Sequence, residues 1–402
     1  MKKSGCVYVP EILLPREGTD MGKWAVIACD QHTSDRAYWD ELENYVKDAP
    51  STLRLTLPEI YLSGDCSARI RAIADTMKRY REEGVFRKLE RGFVLAERKT
   101  PYSPVRFGIV LAVDLDPYSY DVNAKAAIKA TEATIVERIP PRLKIREGAD
   151  VEFPHVMLLY NDREDSVLKD LKGALSSLEK LYDFELNMGG GHIRGYFVPR
   201  AEEIAARFEA LADEDGLVFM VGDGNHSLAT AKAAWEKIKA GLTEEERQSH
   251  PARYALAEAV NLYDDGIRFE AIHRIVTGVD AKKFAAGFPV AAEGDAFLAV
   301  QGEKARNPLG KDAAAAVKLA DGYISDYIAE NGGEVDYIHG EEEILRLTRE
   351  RADSVGILLP KMDKADLFGT VKRHGCLPRK TFSMGESAEK RYYIEGKEIV
   401  KK

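Results

Sequence analysis

Residues 217–228 read Leu-Val-Phe-Met-Val-Gly-Asp-Gly-Asn-His-Ser-Leu, and this stretch decides the fold class. The apolar run 217–221 is typical of a buried strand, and residues 228–240 have the apolar spacing of a helix. Between them, Gly222 and Gly224 allow a tight turn and a close backbone approach to a ligand. The turn presents a helix N-terminus, where backbone N–H groups and the helix dipole attract an anion.

The side chains of this turn extend the anion hypothesis. His226 and Ser227 would add donors, whereas an ionised Asp223 only accepts and suits a metal ion or a substrate hydroxyl better than a phosphate. An ordinary turn with Asn225 or Ser227 as the N-cap residue explains the same pattern, and spacing alone supports both interpretations equally. The stretch matches neither GxxxxGKS/T nor GxGxxG, so it is not a common nucleotide-binding loop.

Strands and helices alternate along the rest of the chain, which predicts a mixed α/β (α+β) fold. A helix is expected over residues 68–83, and strands are expected over 53–57 and 142–146, where apolar and polar residues alternate. At 402 residues the chain suits two domains, and a change of texture places them at 1–265 and 266–402.

Two further segments are candidates for ligand contacts. Asp30, Gln31 and Thr33 follow an apolar strand at its C-terminal end, the usual ligand edge of an open α/β sheet, although a plain connecting loop fits as well. The alternation over 142–146 would place three cations on one strand face for a phosphate or carboxylate, unless that face is simply solvated. His155 is interpreted as a hydrogen-bonded structural histidine.

Bulk properties exclude several classes of protein. The net charge of -9 disfavours nucleic acid and anionic membranes as partners. No apolar run approaches the ~20 residues that span a bilayer, and no secretory signal is recognisable. The four cysteines are scattered without a CxxC pair, which favours a reduced, cytoplasmic setting. No HExxH spacing supports a catalytic zinc.

Five stretches of the chain, taken together, resemble the uncharacterised bacterial and archaeal family called domain of unknown function 1015. They are Trp24-Ala-Val-Ile-Ala-Cys-Asp-Gln-His-Thr-Ser34, Ala130-Thr-Glu-Ala-Thr-Ile-Val-Glu-Arg-Ile-Pro-Pro-Arg142, Gly189-Gly-Gly-His192, Val221-Gly-Asp-Gly-Asn-His-Ser-Leu-Ala-Thr-Ala231 and Pro378-Arg-Lys-Thr-Phe-Ser-Met384. Because they occur over almost the whole chain, the resemblance favours a functional interpretation of all of them.

A more distant resemblance concerns residues 223–227, which are similar to the phosphate-binding signature of the ParB/sulfiredoxin fold. That fold includes an ADP-dependent free serine kinase, sulfiredoxin and chromosome-partitioning proteins. The resemblance implies a ParB/sulfiredoxin-like nucleotide-binding core with a smaller C-terminal α/β domain, whose residues 378–384 return to the site. Ser227 stands where those proteins usually have arginine, which removes a bidentate phosphate contact. Arg138, Arg142 and Lys144 are candidates to supply that charge.

The resemblance implies phosphoryl transfer between ADP or ATP, with Mg²⁺, and a small hydroxy or amino acid. Asp223 would bind Mg²⁺ or take the hydroxyl proton, and His226 would act beside it. The residues implied in nucleotide binding are Gly222, Gly224, Asn225, Ser227, Thr131, Arg138, Arg142, Lys380 and Thr381, and those implied in substrate binding are Asp30, Gln31, Thr33 and His192. A non-catalytic nucleotide or metabolite sensor is the alternative, and the acidic charge argues against a partitioning protein. The oligomeric state stays open.

Overall fold

The computed structural model describes residues 5–33, 35–62, 64–121, 123–132 and 139–401. The chain forms two compact units, the first made of Met1–Ile267 with Glu386–Lys402 and the second of Arg268–Gly385. We call residues 386–402 the return segment. The change of texture near residue 265 predicts one C-terminal domain over 266–402, whereas the structure assigns the return segment to the first unit.

The first unit is a sheet-based structure with helices and short 3₁₀ turns. Its strands are β1 (Val7–Tyr8), β2 (Glu11–Pro15), β3 (Val26–Ile27), β4 (Phe86–Arg91), β5 (Phe93–Lys99), β6 (Arg106–Asp114), β7 (Tyr118–Ser119), β8 (Ile128–Ala130), β9 (Val151–Glu152), β10 (Met157–Tyr160), β11 (Lys180–Leu186), β12 (Gly191–Val198), β13 (Phe219–Asp223) and β14 (Tyr254–Asn261). Its helices are α1 (Met21–Trp24), α2 (Arg36–Val46), α3 (Ser67–Glu82), α4 (Ile139–Glu147), α5 (Lys169–Gly173), α6 (Ala201–Ala210), α7 (Asn225–Lys239) and α8 (Glu244–Ser249).

The main sheet of the first unit has the order β11-β12-β5-β6-β14-β10-β13-β8-β7, with β1 added to β6. Its pairs are mixed: β10 runs antiparallel to β13 and parallel to β14. Alternate residues of β6 enter different apolar clusters, since Ile109 and Leu111 lie in one and Val110 in another. The sheet is therefore covered on both faces, and the predicted mixed α/β class is confirmed.

The second unit has its own sheet and core. Its elements are β15 (Phe269–Thr277), α9 (Ala281–Gly287), β16 (Phe297–Val300), β17 (Glu303–Arg306), α10 (Ala313–Asn331), β18 (Glu334–His339), α11 (Glu341–Glu350), β19 (Ser354–Leu358), α12 (Leu367–His374) and β20 (Phe382–Met384). The sheet order is β17-β16-β19-β15-β18, and β20 pairs with β15. After this unit, the return segment adds β21 (Tyr392–Tyr393) and β22 (Lys397–Glu398) to the first unit.

The predicted helix over 68–83 is confirmed by α3, but two predicted strands are wrong. Residues 53–57 begin in a 3₁₀ turn (Thr52–Arg54), in which the Ser51 hydroxyl accepts the Leu53 N–H. Residues 142–146 lie in α4, where Leu143 packs with Ala229 and Ala234 of α7. Tertiary packing thus outweighs the local alternation of residues. Within the described part of the chain, no helix combines the length and apolarity needed to cross a bilayer.

Candidate functional site

The turn between β13 and α7 has an unusual backbone at its glycine. Gly224 is the N-cap residue of α7 and has φ 77°, so neither Asn225 nor Ser227 is the cap. A Cβ at this position would lie 3.0 Å from the Cα of Val156, so only glycine fits without a shift of the backbone. As a glycine, Gly224 has no side chain with which to cap the helix. Its first turn therefore has N–H groups without acceptors inside the helix, a suitable place for an anion.

Two strand pairings bring distant segments to this turn. In the first, β10 pairs with β13 with Met157 opposite Asp223, so that the ring of His155 packs against Gly224. In the second, β21 of the return segment pairs with β3, and the Ala28 N–H donates to the Arg391 carbonyl oxygen at 2.9 Å. This ladder places Lys390 beside the segment that contains Asp30.

Lys390 pairs with Asp223 and feels the charge of Asp30. Its Nζ lies 3.1 Å from Asp223 Oδ2, and both side chains are only 17% exposed. Burial alone would lower the pKa of Lys390, but the charges of Asp223, Asp30 and Glu132 outweigh burial and raise that pKa. The ammonium group is consequently charged at neutral pH.

His155 supports Asp30 from the buried side. Its Nε2 lies 3.4 Å from Asp30 Oδ2, and its Nδ1 lies 2.9 Å from the Tyr393 hydroxyl, which also accepts the Cys29 N–H. Burial favours a lower pKa for His155, but the Asp30 carboxylate outweighs it and raises that pKa. Burial likewise acts to raise the pKa of Asp30, yet the histidine charge holds it well below its usual range. The two groups form an ion pair.

This ion pair predicts a pH dependence of stability. A histidine whose pKa is raised on folding contributes stability that is complete below its unfolded pKa of about 6.5 and is lost as pH rises through the folded pKa. Urea midpoints of the first unit should therefore fall as pH increases from about 6.5, and His155→Gln should flatten that slope. All three tryptophans lie in the first unit, so their fluorescence reports its unfolding.

The control for this experiment is the pH range. Burial lowers the pKa of Lys397 to about 8, and a lysine of lowered pKa adds stability as pH rises, the opposite sign. Readings below pH 8 therefore isolate His155 best. Equal slopes in the wild-type protein and in His155→Gln would contradict the ion pair.

The carboxylate oxygens of the site already have partners. Asp30 Oδ1 accepts from Gln31 at 3.0 Å and Asp223 Oδ1 accepts the Gly224 N–H at 2.9 Å, while each Oδ2 faces a cation. Among the described residues, no group of three His, Cys, Asp or Glu side chains is arranged to hold a metal ion. A Mg²⁺ held by the protein alone does not fit this arrangement, because it would have to displace Lys390 or His155.

We call Asp30, His155, Asp223, Lys390 and Tyr393 the cluster. A cavity of about 140 Å³ begins next to it and is lined by Ser227, His155 and Tyr393 together with Arg142 and Arg146 of α4. The basic segment thus shares a cavity with the start of α7. Its arginines are not isolated cations: Arg142 pairs with Glu59, and Arg146 pairs with Glu152 at 2.6 Å. Arg138 lies outside the described residues.

With this geometry in place, comparison with known proteins assigns the chain to a family. The family model described as protein of unknown function (DUF1015) matches residues 13–362. The chain belongs to this family. No curated protein matches its sequence. The predicted membership of domain of unknown function 1015 is thereby confirmed, and the match covers four of the five stretches, since residues 378–384 lie beyond it.

Solved structures with some similarity to this DUF1015 chain share little sequence with it. A free serine kinase variant in complex with ADP has TM-score 0.40 and 13% identity, over 75% of this chain and 94% of that one. SbnI from Staphylococcus aureus has TM-score 0.38 and 11% identity, over 69% and 82%. A conserved hypothetical protein from Pyrococcus furiosus has TM-score 0.36 and 12% identity, over 72% and 92%. Similarity at this level assigns no activity or ligand.

Several residues expected at the site have other contacts in the DUF1015 chain. His192 lies on β12, and its ring nitrogens contact Asp183 at 2.6 Å and Glu185 at 2.7 Å. The Thr131 hydroxyl donates to the Val221 carbonyl oxygen of β13 at 2.6 Å. Thr33 is exposed. Lys380 and Thr381 belong to the second unit, where the Thr381 hydroxyl donates to the Pro378 carbonyl oxygen at 2.7 Å.

Three residues of the cluster were not recognised from the sequence. Lys390 and Tyr393 occur in Lys-Arg-Tyr-Tyr, which matches no motif, and the residues around His155 predict only a structural histidine. A signal for His155 does exist, since it stands two residues before a buried strand whose neighbour ends in the Gly-Asp-Gly turn. Pairing of two antiparallel strands then predicts its place beside Asp223.

Proposed function

We propose that the first unit catalyses phosphoryl transfer between a nucleotide and the hydroxyl group of a small hydroxy or amino acid. The observation that carries the proposal is the charged Lys390, held at Asp223 beside the start of α7. A cation next to a helix N-terminus is an arrangement that favours a transferable phosphate. The adenine nucleotide is chosen because residues 223–227 resemble the phosphate-binding signature of nucleotide-binding proteins.

The cluster can bind a phosphate because its own charges nearly balance. Asp30 and Asp223 are matched by His155 and Lys390, so the paired groups carry little net charge. An incoming phosphate would accept from the first turn of α7 and draw the Lys390 ammonium toward itself. That movement would release Asp223 Oδ2 for a substrate hydroxyl.

The transfer step then needs one base and one cation. The acceptor hydroxyl oxygen forms a bond to the terminal phosphorus, the bond from that phosphorus to the bridging oxygen breaks, and Asp223 accepts the hydroxyl proton. Lys390 offsets the charge that develops on the leaving phosphate. Mg²⁺ usually binds through substrate phosphates together with one or two carboxylates, so it would enter with the nucleotide and not through a protein cage.

The test is Asp223→Asn, assayed with ADP and ATP against a panel of hydroxy and amino acids. Asparagine keeps the shape and can still meet the Gly224 N–H, but it cannot take the proton, so turnover should fall by about 100-fold or more. Asp165→Asn is the matched control, since Asp165 pairs with Lys172 at 2.9 Å outside the cluster. Wild-type turnover in the Asp223 variant would remove Asp223 from the mechanism.

A sensor that binds a nucleotide or metabolite without turnover is the second candidate. It is favoured by the carboxylates of the site, whose oxygens all have partners within the protein and need no catalytic role. In the same assay, a sensor would show no turnover with any nucleotide, but its melting temperature would rise with ligand. Turnover in the wild-type protein would exclude it.

A further inference from the structure

The wall of the cavity beside the cluster has a polar part and an apolar part. Where it meets the cluster, the wall is polar and contains Ser227 and His155. Much of the remaining wall is aliphatic and aromatic, and the residues that form it include Leu55, Leu57, Met77, Val151, Phe153 and Ile399. All six side chains belong to one apolar cluster of the first unit. The cavity thus combines a polar edge at the start of α7 with an apolar wall.

The charged groups in the cavity wall neutralise one another, so they do not favour a charged ligand. Arg142 and Arg146 are each paired with a glutamate, Glu59 and Glu152 respectively, and both glutamates also line the cavity. Burial raises the pKa of the Cys29 thiol to about 11, so this residue is uncharged. A second ion inserted here would lose its hydration and disturb existing pairs. An uncharged apolar group has no ionic hydration to lose and would leave the existing ion pairs intact.

The size of the cavity limits what can enter. Its volume is about 140 Å³. An engineered apolar cavity of about 150 Å³ in another protein binds benzene, so a phenyl ring or a branched alkyl group of similar bulk is the upper limit here.

We propose that the acceptor substrate carries an uncharged apolar group, up to the size of a phenyl ring, that occupies this cavity while its hydroxyl reaches Asp223. The inference rests on the proposed function for the role of acceptor, but the cavity itself can be tested without turnover. It narrows the substrate class from small hydroxy and amino acids in general to those with an apolar side chain.

The experiment compares lactate with 3-phenyllactate, and serine with 3-phenylserine, in turnover and in calorimetric binding. The wild-type protein should prefer the phenyl compound in each pair by about tenfold or more in kcat/KM. Ala149→Leu places extra methyl groups at the cavity wall and should abolish that preference, and Leu57→Phe is the second filling variant if the first does not fold. Ala205→Leu, on α6 against a different apolar cluster, is the control and should keep the preference.

The outcomes separate this inference from the proposed function. Turnover without a phenyl preference, or a preference that both filling variants retain, would overturn the inference and leave phosphoryl transfer standing. No turnover with any compound, but phenyl-specific binding that the filling variants lose, would support the cavity as a ligand site and reject the proposed function. Neither turnover nor binding would reject both.

Discussion

Lys390→Met is expected to lower the proposed phosphoryl transfer by about 100- to 1000-fold, the usual effect of removing a group that stabilises transition-state charge. Methionine keeps most of the side-chain length and its apolar stem but has no charge. Asp223 would then lose the cation that lies 3.1 Å from it, and the proposed transfer would lose the ammonium group assigned to it. Single-turnover rates at saturating nucleotide would measure the chemical step directly.

A second variant separates catalysis from stability at this position. In the Lys390→Met/Asp223→Asn double variant, neither member of the pair is charged, so its melting temperature should return toward that of the wild-type protein. Its activity should remain low, because both the cation and the base are missing. Near-normal turnover in Lys390→Met would show that the buried pair is structural and that the proposed mechanism is wrong.

The largest effect on stability is expected at the neighbouring Arg391. Its guanidinium group is 4% exposed and lies 2.9 Å from Glu258 and 2.8 Å from Glu395, both of which are also buried. Burial already raises the pKa of Glu395, against the pull of Arg391. Arg391→Met would leave buried carboxylates without this partner and should destabilise the first unit by about 3–5 kcal/mol.

Urea unfolding followed by tryptophan fluorescence is a direct measurement of this effect. Trp24 is especially suitable because its indole N–H donates to the Ile394 carbonyl oxygen of the return segment at 3.0 Å. The matched control is Arg194→Met in the first unit, since Arg194 also lies between two carboxylates, Glu97 and Asp183, but is 41% exposed. An exposed arrangement of this kind contributes far less to stability than a buried one. Equal losses in the two variants would contradict the role assigned to burial.

The parts of the site that could be predicted are those whose chemistry is local. The apolar run, two glycines and an amphipathic run define the β13–α7 turn without reference to any other part of the chain. The partners of Asp223 could not be predicted in this way, because they come from distant parts of the chain. Lys390 reaches it through the pairing of two-residue strands, β21 and β3, which are far apart in sequence and too short to show a periodic pattern.

The incorrect prediction of a strand over 142–146 has a related cause. Alternation over five residues is compatible with one and a half turns of an amphipathic helix, and the prolines that precede Arg142 also suit the first turn of a helix. What decides between the two is the contact of Leu143 with Ala229 and Ala234, which no local pattern reveals. Likewise, composition could place a boundary near residue 265 but could not show that residues 386–402 rejoin the first unit.

The return segment also sets an order of events during synthesis. A ribosome makes Asp30, His155 and Asp223 early, then has to translate Arg268–Gly385 before Lys390 and Tyr393 exist. At roughly 5–20 residues per second, this takes on the order of ten seconds. Throughout that interval the nascent first unit lacks both the Lys390 ammonium group and Arg391, the partner of the buried Glu258. A chain released prematurely, anywhere within the second unit, would therefore lack part of the candidate site, and its incomplete core would make it a ready target for proteolysis.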